Sequence, residues 1–371
     1  MSTTVLRLLV VACALVAPGC AGTRSLFGLD DHPLGPWPGD DLSGAQVDAQ
    51  LEVGRRELAD GRDWEAVRRS LELIEDSDLD TERGNAATRL LLDAMTDAVA
   101  TTEDSSGYER IRASRLPRAV RAIRTVGLAR KLLEEGEPFE AYLEIQRLEN
   151  VYPSHHLSRE AGDVVADAGV ALYESKGHYM LFFADRSRAP TVFEYLVLRH
   201  PTHPRCDDAY WLLGTYAADH REYQRAIGYF EDLVLFHPGS PHAIAAEAEV
   251  PKLRIADHVR YDFDFGAILK AFDETNKWLA RHCDRDLGPE HAELVDSMRE
   301  LRQECLVRYA RADLGIARFY ARVGQDFGAN KHAQRALDVA REAGSAAEAE
   351  QEEARAIIAA HPLGEPVEAS P

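Results

Sequence analysis

Three groups of side chains could do chemistry. His200, His203 and Cys206 fall within one stretch, HPTHPRC. Imidazole and thiolate both bind zinc, and a structural zinc site takes four such ligands in a tetrahedron. This stretch offers three in a proline-broken loop, and it lacks a fourth ligand and an orienting shell. An inter-helix turn is the simpler reading. His155 and His156 are adjacent, and adjacent side chains do not face each other on a helix. Asp262 and Asp264 suggest an acid pair, but they alternate with aromatic residues in RYDFDFG, which reads as a solvated turn entering a helix. The sequence holds no Gly-Lys-Ser/Thr phosphate loop, no G-x-S-x-G elbow and no H-E-x-x-H. Cys206, Cys283 and Cys305 read as small buried apolar residues; in an oxidising compartment a pair could cross-link, and the sequence does not select which. These residues predict no enzyme activity, no metal and no cofactor.

The elements around these residues are helical. At 371 residues with a net charge of −20, the chain exceeds one typical domain and is poorly suited to nucleic acid or an anionic surface. Residues 208–238, DAYWLLGTYAADHREYQRAIGYFEDLVLFHP, match a tetratricopeptide-type helical hairpin, whose repeat spans about thirty-four residues. Tyr210, Leu213, Gly214, Ala226, Phe230 and Pro238 fill the aromatic, Leu-Gly, small, large and proline slots without a gap, and Ala217 stands in the Tyr slot. Gly214 and Ala226 are small where the two helices approach. Leu213 and Phe230 fill the seam, and Pro238 stops the second helix. The fold class is therefore all-α, a tetratricopeptide-like helical-hairpin solenoid, in which each repeat contacts its neighbours.

Residues 1–20 read as an address. Arg7 precedes an apolar run from Leu8 to Ala17, too short for the roughly twenty residues that span a bilayer and shaped like a signal-peptide core. The run ends Ala17-Pro18-Gly19-Cys20. This resembles the lipobox of bacterial lipoproteins, which implies that Cys20 is acylated and becomes the mature N-terminus; ordinary cleavage beside an incidental cysteine is the alternative. Ala21 after the cysteine, rather than Asp, implies in that family delivery to the outer membrane, with the protein on its periplasmic side. Pro33, Pro36 and Pro38 make residues 21–44 a tether. Residues 45–110 read as an N-terminal helical cap, with a helix pair over 45–76 broken at Gly61 and a further helix over 84–101.

The repeat array spans 111–343. Gly136 marks a turn, and Ala141, Ile145 and Pro153 take the small, large and proline slots. Ala189, Phe193 and Pro201 repeat this ending. Pro190 belongs in a first helical turn, where its missing N–H costs nothing, which predicts a long first helix and a shortened second. A fourth hairpin covers about 243–282, a long helix about 290–323, and a last helix about 329–343, leaving 344–371 as a C-terminal tail. The runs VYPSH, RHPTHPRCDDAYWLLGTY, YFEDLVLFHPGSP and LRQECLVRYARADLGIARFYARVG resemble the BamD family, lipoprotein subunits of the machinery that inserts β-barrels into bacterial outer membranes. The resemblance covers about residues 125–330. Residues 45–110 have no counterpart in it, and Asn330 and Gln334 stand where Ala and a large apolar residue are expected.

Function then follows from shape. A solenoid of this kind holds a segment of another protein on the face built from first helices. The repeat register nominates Trp211 and Thr215 in one hairpin and Glu174 and His178 in the previous one. Trp211 is the natural anchor; a core tryptophan in the inter-repeat seam is the alternative. The resemblance implies a scaffold whose partners are unfolded outer-membrane proteins at the N-terminal repeats and a β-barrel insertase at the C-terminal repeats, with Cys20 holding it to the membrane. A scaffold of another envelope complex, serving cell wall or secretion, is the rival. A cytoplasmic repeat domain regulating an enzyme is a third reading, against which the signal sequence argues.

Overall fold

Four tight turns share one geometry and set the architecture. Gly61, Gly136 and Gly324 have φ of 71°, 82° and 72°, and Arg221 has φ of 60°. At each, the N–H of that residue donates three residues back, to Leu58, Leu133, Ala218 and Ala321. The next N–H reaches five residues back: Arg62 to Glu57, Glu137 to Leu132 and Glu222 to Ala217 at 2.8 Å, and Gln325 to Tyr320 at 2.9 Å. This is the left-handed helix stop that glycine favours because it has no β-carbon. Arg221 takes the same conformation with a β-carbon. Arg221→Gly should therefore raise stability by roughly 0.5–1 kcal/mol, the relief of left-handed strain less the extra entropy a glycine loses on folding. Denaturant unfolding of the two proteins checks this, and an unchanged or lower midpoint would contradict it.

The computed structural model describes residues 42–76, 79–110, 116–179, 183–257, 265–285 and 288–363. Two compact units divide at Val192–Phe193. In the first, α1 (Gly44–Ala59), α2 (Asp63–Asp76), α3 (Thr81–Thr101), α4 (Arg118–Glu134), α5 (Pro138–Val151) and α6 (Ser158–Glu174) follow one another. Each packs on the next, and α1 also meets α3, as α4 meets α6. Helix α7 (Ala189–Arg199) straddles the division. The second unit continues with α8 (Cys206–Asp219), α9 (Tyr223–Phe236), α10 (Ala243–Asp257), α11 (Phe265–His282), α12 (Pro289–Arg322), α13 (Asp326–Glu342) and α14 (Glu348–Ala360). Neighbours in sequence again pack together, with α10 also on α12 and α12 on α14. Packing in chain order, with four pairs of next-but-one helices also in contact, is the pattern of an all-α helical-hairpin solenoid.

The repeat slots explain the packing. Ala66, Ala141, Ala226 and Ala329 each follow a turn at the same interval and are buried. Ile145, Phe193, Leu213 and Phe230 are buried as the large partners. Pro153, Pro201 and Pro238 lie exposed just beyond the ends of α5, α7 and α9. Ala217, in the Tyr slot, is buried beside them. The short α7, with Pro190 in its first turn, appears as the sequence predicts. Between α6 and α7 the chain also makes a two-strand pair, β1 (His178–Tyr179) with β2 (Phe183–Ala184), and a 3-10 turn over Asp185–Arg188, which the sequence reading did not anticipate. Helix α3 starts earlier than expected because the Asp80 side chain accepts from the Arg83 N–H at 2.9 Å and caps it.

Two expectations need correction. Residues 344–371 were expected as a tail, but Gly344–Ala347 forms a 3-10 turn and α14 follows it. The last hairpin is in register one residue earlier than expected: its small slot is Ala329, not Asn330, and its large slot holds only Ala333, so it stays degenerate at that slot. Asn330 is buried for another reason. Its Nδ2 donates to the His361 carbonyl at 2.7 Å and so ties down the end of α14. The proposed signal peptide, Cys20 and nearly all of the tether lie outside the described residues.

Candidate partner-binding surfaces

Trp211 sits in an inter-hairpin seam. Its ring stacks on His242 at 5.2 Å and an interplanar angle of 9°, and it meets Phe230 at 5.3 Å. The His242 Nε2 lies 3.0 Å from Asp208 Oδ1. Trp211 thus joins α8, α9 and the start of α10 from a half-buried position. The Thr215 hydroxyl donates to the Trp211 carbonyl at 2.9 Å, the usual way a helical threonine satisfies its oxygen internally. Glu174 is exposed at the end of α6, and His178 opens β1, its side chain lying outside the described residues. Glu174 and His178 belong to the first unit, Trp211 and Thr215 to the second.

The candidate chemical groups are placed as follows. His200, His203 and Cys206 are buried at the turn into α8, where the Cys206 thiol donates to the His200 carbonyl at 3.1 Å. Burial pushes the Cys206 thiol up to about 11 and the Cys305 thiol up to about 12. Both therefore stay protonated at neutral pH, and the thiolate is the reactive and metal-binding form. Cys206, Cys283 and Cys305 are free thiols. Among the described residues, no three His, Cys, Asp or Glu side chains converge as metal ligands. The His155 side chain is buried, with its Nε2 3.5 Å from the Glu149 carboxylate. Asp262 and Asp264 lie outside the described residues.

A surface that the groove reading missed lies at the turn from α12 to α13. Phe319 and Val323 are each 52% exposed, one helical turn apart, and Phe327 is 67% exposed in the first turn of α13. The register of α12 causes this: Leu314 and Ala317 turn inward on the opposite side. Arg318, Arg322 and Lys331 are exposed close to these residues in the chain, with one exposed carboxylate, Asp326, beside Phe327. Arg318 bonds Glu353 of α14, and the Lys331 ammonium lies 5.9 Å from the Phe327 ring. Exposed apolar side chains with cations in excess nearby suit a partner that offers apolar side chains beside carboxylates. The available signal was the one-turn spacing of Phe319 and Val323, against the inward-facing Leu314 and Ala317, with Phe327 directly after the Gly324 turn. A second exposed group, Leu198, Leu235 and Phe236, stands at the ends of α7 and α9. Leu198 and Leu235 occupy equivalent repeat positions, ahead of Pro201 and Pro238.

The chain thus belongs to the class of all-α helical-hairpin solenoids. No protein-family model matches it, and no curated protein matches it either.

Proposed function

We propose that the protein is a lipid-anchored scaffold on the periplasmic side of the outer membrane, which binds partner proteins during β-barrel assembly and insertion. The exposed patch of Phe319, Val323 and Phe327 carries this reading. It falls at the end of the run that resembles the BamD family, and it offers the C-terminal repeats an apolar docking face with cations in excess nearby. Helical-hairpin arrays bind other proteins through such faces. The anchor is Cys20: acylation there, which the lipobox resemblance implies, supplies the two or more acyl chains that firm attachment needs.

The anchor has its own test. Wild-type chain should take up radiolabelled palmitate and sediment with membranes, whereas Cys20→Ala should lose the label and appear in the soluble fraction. Unchanged labelling and sedimentation of Cys20→Ala would leave the scaffold without its proposed anchor.

A further inference from the structure

Helix α14 is acidic and lightly held. It carries Glu348, Glu350, Glu352 and Glu353 against a single Arg355. Of its residues only Glu350 and Ala354 are buried, whereas α13 buries Ala329, Asn330, Ala333, Ala336, Leu337 and Ala340. Ala354 covers Leu314 of α12 and Ala336 and Leu337 of α13, with Ile357 and Ile358 half-buried beside it. The charges around this seat are complementary. Arg311 bonds Glu350 at 2.6 Å, and Arg318 bonds Glu353 at 2.5 and 2.9 Å. The remaining ties are polar: Gln351 donates to the Ala340 and Gly344 carbonyls, Asn330 Nδ2 donates to the His361 carbonyl at 2.7 Å, and the His361 Nδ1 lies 2.6 Å from Asp326 Oδ1. Gly344, at a φ of 65°, begins the short turn on which α14 would swing.

We propose that α14 is a displaceable strap. It fills, in the same chain, a seat on α12 and α13 that also accepts an acidic amphipathic helix of a partner protein. Elements with few buried apolar contacts open at low free energy while their neighbours stay folded. Every tie to α14 except the small apolar contact can be remade by water or by a second acidic helix. Opening would uncover Leu314, Ala336 and Leu337 between Arg311 and Arg318, a seat that matches helix-in-groove recognition. The inference needs no membrane anchor and stands apart from the identity of the envelope complex.

A fluorescent peptide with the sequence of residues 346–363 is the probe, titrated into full-length protein. In wild type, α14 competes in the same chain and lowers apparent affinity by the fraction of closed molecules. Ile358→Asp weakens that competitor, so its affinity for the peptide should exceed that of wild type by about tenfold or more. Arg311→Glu/Arg318→Glu in the Ile358→Asp background should abolish binding, and a scrambled peptide should not bind. Hydrogen exchange on wild type should show α14 amides exchanging before those of α12 and α13. Should Ile358→Asp lose helix content, Glu353→Lys takes its place, because it unseats the strap without burying a charge. Equal peptide binding by wild type and the loosened variant, or no binding by a loosened variant that remains helical, would overturn the strap and leave α14 a permanent cap.

Discussion

Trp278→Ala should lower the stability of the second unit by about 3–5 kcal/mol, the range for deleting a buried aromatic side chain. Trp278 is fully buried where α10, α11 and α12 meet. It packs among Ala248, Ile255, Ile268, Ala271, Val295, Met298, Leu301 and Cys305. Its indole N–H donates to the Ile244 carbonyl at 3.1 Å, and its ring lies 4.9 Å from His282 and 6.0 Å from His291. The substitution removes apolar area, leaves a cavity between three helices and loses the hydrogen bond. His282 and His291, both buried, would lose the ring that packs against them. Trp278→Phe should cost less, because it keeps part of the packing while losing the N–H donor, which contributes about 1 kcal/mol. Denaturant titration followed by circular dichroism reads both variants. A Trp278→Ala change below about 1 kcal/mol would mean that the seam collapses around the gap, outside the usual behaviour of close-packed cores.

Gly214→Val should be the second large effect, and it should depend on Phe230. A β-carbon at Gly214 would lie 2.5, 2.7 and 2.8 Å from three atoms of the Phe230 ring. The ring is itself buried, between α8, α9 and Trp211. Overpacking of this kind costs about 1–3 kcal/mol, and the added methyls place Gly214→Val toward the upper end. Phe230→Ala alone should cost about 3–5 kcal/mol. In the double variant the valine occupies part of the space left by the ring, so the costs should fall short of additivity by roughly 1–3 kcal/mol. Four proteins and one denaturant series complete the cycle. Strict additivity would show that the two residues do not share the space the structure gives them.

The sequence made the helical-hairpin pattern legible because its slots have steric causes. Leu213, Gly214, Ala226 and Phe230 are constrained by how closely α8 and α9 approach. Pro190 marks the first turn of α7, and Pro153, Pro201 and Pro238 follow helix ends. The α12–α13 hairpin was harder to read because its large slot is Ala333, and its buried stripe of Ala329, Ala333, Ala336 and Ala340 lacks the usual size contrast. Helix α14 was hidden by its composition: a run of Glu and Ala with two isoleucines has little hydrophobic signal, and its seat depends on Arg311, Arg318 and Asn330 far back in the chain. Pro251 shows tertiary packing overriding a local breaker. It lies inside α10, where Val250, Leu253 and Ile255 are buried around it. Among the surface residues, Trp211 could not be assigned to groove or seam from its own helix. Its ring is held by Phe230 of α9 and by His242, in the turn just before α10, and the second contact depends on how the next hairpin packs.

Partner capture tests the central functional claim most directly. Tagged wild-type protein and a Phe319→Asp/Phe327→Asp variant would be purified from detergent-solubilised membranes of the source cells, and the co-purifying proteins identified by mass spectrometry. The account predicts a barrel-shaped insertase with periplasmic domains in the wild-type sample and its loss from the variant, with both proteins equally helical. Recovery of only cell-wall or secretion proteins, or of the insertase equally with both, would contradict it.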